Sequence, residues 1–242
     1  GHDFGPYAEW MEQHRISRRH VLQLKNEFTA QAYITTDLED NQITAFHPGA
    51  MNFSSQNQIP TDGSITLGIV APDSRDAMIA HARAFHDGGI PFMFDPGQGL
   101  PLFDGDDLMN FVSAASWIAV NDYEAQLVQE RTGLSPEELA GHVEALVVTR
   151  GGEGSLIYTN GECLQIPCAR AATVADPTGC GDAYRAGLLF GIMKQLPWPV
   201  TGRIASLLGA IKVEEHGTQN HRFDWAQFTS RYQQSFGEEL AI

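Results

Sequence analysis

The run Ala175-Asp176-Pro177-Thr178-Gly179-Cys180-Gly181-Asp182, followed at once by Ala183 to Met193, constrains the fold more than any other stretch of the chain. Pro177, Gly179 and Gly181 crowd together and exclude regular structure there. The apolar run that follows is long enough to form a buried helix. A glycine-rich turn feeding a helix N-terminus presents unpaired backbone N–H groups and the positive end of the helix dipole, which together make an anion site. Asp182 falls at the mouth of that site. A carboxylate repels phosphate, yet it is well suited to take a proton from a hydroxyl that attacks one. Asp is also a good helix cap, and both readings of Asp182 stand at this point. Two other phosphate-binding patterns are excluded. No Gly-x-x-x-x-Gly-Lys-Ser/Thr occurs, and Tyr184 stands where a dinucleotide fingerprint after Gly179-x-Gly181 requires glycine.

From residue 64 onward, short apolar runs alternate with helical patterns, which predicts a parallel sheet with helices on both faces. Strands are expected at 65–70, 91–94, 117–120, 145–149, 156–159 and 161–168. Helices are expected from Pro72-Asp73 to about 86, at 108–115, from Ser135-Pro136, from Gly181, at 203–215 beyond a break at Pro197-Trp198-Pro199, and to about 236. His216-Gly217 reads as the end of the 203–215 helix, with Gly217 as its C-terminal cap. Earlier in the chain, residues 7–14 read as a helix. Residues 29–36 and 42–46 alternate small-apolar and polar side chains around the polar turn 37–41, the pattern of a hairpin.

Ligands of open α/β sheets bind beyond the carboxyl ends of the strands. Asp95 and Gln98, in Asp-Pro-Gly-Gln after the 91–94 strand, are therefore candidates for substrate contact, although the same residues suit a plain turn. Asn121 and Glu124 close the 117–120 strand with the spacing of a capping box. Thr149, Gly151 and Gly154 form a glycine-rich turn, by itself a weak signal.

The 242 residues suit one large domain. A formal net charge of −15 argues against nucleic acid and anionic membrane surfaces as partners. No apolar run approaches membrane-span length, and the first residues carry no basic-then-apolar leader. Cys163, Cys168 and Cys180 lie in no metal-ligand spacing and cannot all pair, which points to a reducing compartment, the cytoplasm.

The segment Asp176-Pro177-Thr178-Gly179-Cys180-Gly181-Asp182 resembles the C-terminal signature of the ribokinase-like (PfkB) sugar and nucleoside kinases, D-T-x-G-A-G-D, with Pro177 between Asp and Thr and Cys180 in place of Ala. The order Asn121…Glu124, Thr149…Gly154, Asp176…Asp182 is similar to that of the family motifs. The resemblance implies a three-layer αβα fold with a mostly parallel central sheet, as a single domain over 1–242 with 27–50 contributing to a small β lid. It implies ATP and Mg²⁺ as cofactors, allows a monovalent cation such as K⁺, and allows a homodimer through the lid. Gly179, Cys180 and Gly181 would form the anion hole and Asp182 the catalytic base. Asn121 and Glu124 would hold Mg²⁺, mostly through water. Thr149, Gly151, Gly154, Asp176 and Thr178 would face the nucleotide phosphates, and Gly217, Gln219 and His221 the adenine. Cys180 at a helix N-terminus is expected to favour its thiolate.

Gly1-His2-Asp3-Phe4-Gly5 resembles an internal segment of the family. On that basis the chain is expected to be N-terminally truncated, without the first strand and its substrate-binding Asp. The wording Asp95-Pro96-Gly97-Gln98, Asp176 to Asp182 and Gly217-Thr218-Gln219 is similar to the adenosine and nucleoside kinase branch, which implies phosphorylation of adenosine to AMP. A sugar kinase acting on ribose or a fructose derivative is the alternative, as is a catalytically incompetent nucleotide-binding fragment. A dinucleotide-dependent oxidoreductase would need the glycine fingerprint that the chain lacks.

Overall fold

Strands with alternating outward and inward side chains, separated by stretches too short for a crossover or long enough for one, decide this topology. The computed structural model describes residues 1–36 and 42–242. After helix α1 (Gly5–Gln13), strands β1 (Gln31–Thr36) and β2 (Gln42–His47) pair antiparallel as a separate two-stranded sheet. This is the expected hairpin; its turn at 37–41 lies outside the described residues. The main sheet has six strands in the spatial order β3 (Gly68–Val70), β4 (Phe92–Phe94), β5 (Trp117–Asn121), β6 (Ala145–Thr149), β7 (Ser155–Thr159) and β8 (Glu162–Ile166).

The first four strands are parallel, β7 pairs antiparallel with β6, and β8 antiparallel with β7. The sheet is thus mostly parallel, as the family resemblance implies, and departs from the uniformly parallel pattern only at its far end, for a simple reason. Residues 150–154 and 160–161 connect their strands, and a parallel crossover needs about a dozen residues or more. Strand β3 is also shorter than the apolar run 65–70 that predicts it.

Residues of the central strands divide by parity between two cores, as a period of two requires. Phe92, Phe94, Ile118, Val120, Leu146 and Val148 face one side, where α2 (Arg75–Asp87), α3 (Gly105–Ala114), α4 (Asp122–Thr132) and α5 (Pro136–Ala140) cover them. Met93, Trp117, Ala119, Ala145, Val147 and Ile157 face the other, against α6 (Cys180–Met193) and α7 (Trp198–Val213). Two buried faces explain why these strands read as unbroken apolar runs. Helix α8 (Trp225–Phe236) covers α7 through Phe228 and Tyr232.

Helices α6 and α7 pack backbone to backbone. A Cβ added to Gly187 would fall 2.4 Å from Ala205 Cα, and one on Gly191 would strike the Thr201 side chain. Helix α7 begins at Trp198, before the expected start at residue 203, because proline is accepted in a first helical turn, where its missing N–H has no partner to lose. It ends at Val213 with Glu214 as its C-cap, so Gly217 is not its cap and sits in the following loop with φ +79°.

Candidate active site

The anion turn is fastened before the helix starts. Val213 O, at the end of α7, accepts hydrogen bonds from the N–H of Ala175 at 2.8 Å and of Asp176 at 3.1 Å. The Asp176 carboxylate accepts from Thr178 N at 2.9 Å and Gly217 N at 2.8 Å. Gly179 then takes φ +82° as the N-cap of α6 and contributes no side-chain cap, a left-handed geometry that favours glycine. Asp182 lies in the first turn of α6, exposed, and among the described residues its carboxylate accepts no hydrogen bond. It does not cap the helix. The Cys180 N–H donates to Pro177 O at 3.1 Å, while among the described residues those of Gly179 and Gly181 make no main-chain hydrogen bond.

The hydrogen bond from the Thr178 backbone, followed by that from Gly217, holds the Asp176 carboxyl well below its ordinary 3.8. The folded value is depressed, so the contribution of Asp176 is complete above the ordinary value and fades as pH falls through the lower folded value. The melting-temperature difference between wild type and Asp176→Asn is expected to be constant above about pH 5 and to shrink only in stronger acid. A difference that already shrinks between neutrality and that point would contradict it.

One turn beyond Asp182, Arg185 is buried and extends its guanidinium under the sheet edge. Its Nε and Nη2 donate to Asp95 Oδ2 at 3.1 Å and Oδ1 at 3.0 Å, and Nη2 also reaches Ala119 O at 3.5 Å. Glu124 Oε2 stands 3.8 Å away. Burial pushes the Asp95 carboxyl up, against the pull of Arg185, and the negative charges of Glu124 and Asp182 push the same way. The structure therefore turns both Asp95 oxygens toward Arg185. Gln98 lies on the short 3₁₀ turn Gly97–Leu102 with its side chain exposed. Sequence reasoning passed over Arg185, although it is the only charged residue between Ala183 and Met193. A lone charge inside an apolar helix requires a buried partner.

Asn121 and Glu124 form the capping box at the start of α4. Asn121 N donates to Glu124 Oε2 at 2.8 Å, Asn121 Nδ2 to Glu124 Oε1 at 2.9 Å, and Glu124 N to Asn121 Oδ1 at 2.7 Å. Each carboxylate oxygen keeps a second lone pair. Among the described residues no cluster of three or more His, Cys, Asp or Glu could cage a metal. This donor set fits Mg²⁺ held through water and ligand phosphates, the ordinary state of that ion.

Thr149 lies opposite Asn121 in the β5–β6 register, so the two strand ends meet. The turn after it needs two of its three glycines. Gly151 and Gly154 have φ +53° and +87°, and a Cβ on Gly154 would fall 2.1 Å from Ile166 O. On the far side, Gln219 Nε2 donates to Tyr7 Oη at 3.3 Å. His221 borders a cleft of about 380 Å³ with Ile211, Glu215, Phe223 and Arg231, and desolvation lowers its pKa. Cys180 departs from expectation. Burial pushes its thiol up, only partly offset by Lys212, so the thiolate is not favoured there.

A parallel sheet that presents a glycine-lined anion turn and an unbonded carboxylate at the C-terminal ends of its strands defines a small-molecule kinase of the ribokinase-like class. The chain belongs to the pfkB family of carbohydrate kinases, which it matches over residues 1–225. It is similar to the nucleoside kinase of Burkholderia thailandensis solved with inosine, at 47% identity and a TM-score of 0.95, covering 98% of this chain and 78% of that one. The same enzyme described in complex with ADP-inosine superposes with a TM-score of 0.93, covering 98% and 74%. The nucleoside kinase of Methanocaldococcus jannaschii is 30% identical over 233 residues, which span 96% of this chain and 76% of the relative.

Proposed function

We propose that the chain is an ATP-dependent nucleoside kinase that converts a purine nucleoside, adenosine in the first instance, to its monophosphate. The observation that carries this reading is the free Asp182 carboxylate beside the N–H groups of the anion turn. Asp182 accepts the proton of the nucleoside hydroxyl as that oxygen attacks the γ-phosphorus of ATP; the new P–O bond forms, the bond to the β,γ-bridging oxygen breaks, and ADP leaves. Backbone N–H groups at Gly179, Cys180 and Gly181 stabilise the charge on the equatorial oxygens. Asn121 and Glu124 would hold Mg²⁺ through water, and the ion would supply positive charge against the phosphates. Thr149, Gly151, Gly154, Asp176 and Thr178 line the phosphate side, and Gly217, Gln219 and His221 the base of the nucleotide. In this reading Asp95 acts on the site through Arg185, while Gln98 is free to meet the nucleoside.

Three further points belong to the same proposal. The hairpin exposes Tyr33, Ile34, Ile43 and Phe46, apolar surface that a second copy of the lid would cover. Cys163, Cys168 and Cys180 are free thiols, which suits the cytoplasm. Among the described residues no helix is long and apolar enough to cross a membrane.

ADP release from Mg-ATP with adenosine, inosine, ribose and fructose 6-phosphate offered separately tests the proposal. The nucleosides are expected to support turnover and the sugars not to. A response to ribose or fructose 6-phosphate alone would establish the sugar kinase instead. Silence with all four, from protein that still binds ADP, would identify an incompetent fragment.

A further inference from the structure

The kinase reading leaves one fully buried charge unused. Lys212, in the last turn of α7, is 0% exposed. A lysine ammonium is costly to bury unless its charge is compensated. Among the described residues no carboxylate forms an ion pair with it, and its partners are instead two main-chain oxygens. Nζ donates to Asp176 O at 2.7 Å and to Glu215 O at 3.1 Å. The adjacent Glu214 is committed elsewhere, to Arg231 at 2.6 and 2.8 Å and to Ala172 N.

These two oxygens belong to the segments that clamp the anion turn. Asp176 begins the turn; Glu215 follows the end of α7, where the carbonyls carry the negative end of the helix dipole. The same two segments exchange the bonds from Ala175 and Asp176 to Val213 O and from Gly217 N to the Asp176 carboxylate. Carbonyl oxygens, a helix C-terminus and a carboxylate thus converge behind the turn with one positive charge in their midst. Backbone carbonyl oxygens are what a dehydrated K⁺ ion selects, and here two of them are taken by an ammonium that carries the same charge. An ion and the ammonium cannot share these oxygens, so they do not fit the monovalent cation that the family resemblance allows.

We propose that the Lys212 ammonium is the built-in monovalent cation of this chain. It joins the start of the anion turn to the loop after α7 and so positions the N–H groups of Gly179 to Gly181, which makes the protein independent of K⁺. Lys212 is a positioning residue that touches no substrate; what it positions rests on the kinase reading.

The test uses the full chain at constant ionic strength, with tetramethylammonium replaced stepwise by K⁺, NH₄⁺ or Na⁺. Turnover, ADP affinity and melting temperature are read for wild type and for Lys212→Met, which keeps the length of the side chain and removes its charge. Wild type is expected to be indifferent to K⁺ in all three. Lys212→Met is expected to lose about 10²-fold in turnover, the scale of a displacement on the order of 1 Å at a reacting centre. K⁺ or NH₄⁺ should restore part of that loss and raise the melting temperature of the variant, because an ion bound only by the folded state stabilises it. A lysine needed only for packing would give no rescue. Activation of wild type by K⁺ overturns the proposal, as does a folded Lys212→Met that responds to no cation. Should the variant not fold, K⁺ dependence of ADP affinity in wild type decides alone. Should no nucleoside be phosphorylated, the kinase reading fails, while melting temperature and ADP affinity still decide this one.

Discussion

Asp182→Asn is expected to lower turnover by ~10²–10⁴-fold while ADP binding changes little. The amide has nearly the same shape and cannot accept the hydroxyl proton. Because the Asp182 carboxylate accepts no hydrogen bond among the described residues, the substitution breaks none there. It also removes a negative charge near the site, which should, if anything, favour the anionic nucleotide. Turnover measured beside ADP affinity separates the two effects: retained turnover removes Asp182 from the mechanism, and lost affinity together with lost turnover makes it a structural residue.

The second large effect belongs to Arg185→Met. Methionine fills much of the same space, yet it leaves the Asp95 carboxylate buried without the partner that bonds both its oxygens. Breaking a buried ion pair from one side costs about 3–5 kcal/mol, a large share of the stability of a typical domain. Turnover should fall in the protein that remains folded, since Arg185 ties the second turn of α6 to the ends of β4 and β5 and stands beside Glu124. The combined Arg185→Met, Asp95→Leu variant should recover much of the stability, because both charges leave together. Denaturant unfolding of these two variants and of Asp95→Leu alone measures the coupling. Additive losses would show that the pair carries no energy of its own.

The anion turn was legible because its chemistry is local. Glycines at fixed offsets before an apolar helix admit few conformations, and Gly179 adopts the left-handed one. The capping box at Asn121 was legible for the same reason, with donor and acceptor three residues apart, and the helix start at Ser135 proves to be a second such box. What escaped depends on residues distant in sequence. Asp95 reads as a turn residue or a ligand until Arg185, 90 positions later, is seen to take both its oxygens. Lys212 reads as part of the apolar face of a helix, and its partner Asp176 O lies 36 residues back. The strand direction after β6 was recoverable from the shortness of residues 150–154 alone, but periodicity does not encode direction. Cys180 misled because the helix dipole is a property of its position, whereas its burial depends on how the turn packs.

The backbone contact of α6 with α7 has a consequence for how ligand binding is divided. Gly187 against Ala205 and Gly191 against Thr201 leave no gap through which one helix could slide over the other. The anion turn is fastened to the end of α7 as well, so the donors for the phosphoryl group are preorganised before any ligand arrives. In the proposed reading, shape change on binding falls to the two-stranded hairpin, which stands apart from the main sheet and shares none of its ladder. On that reading catalytic geometry and substrate choice would vary independently: altering the hairpin would change what is admitted and leave the phosphate machinery as it is.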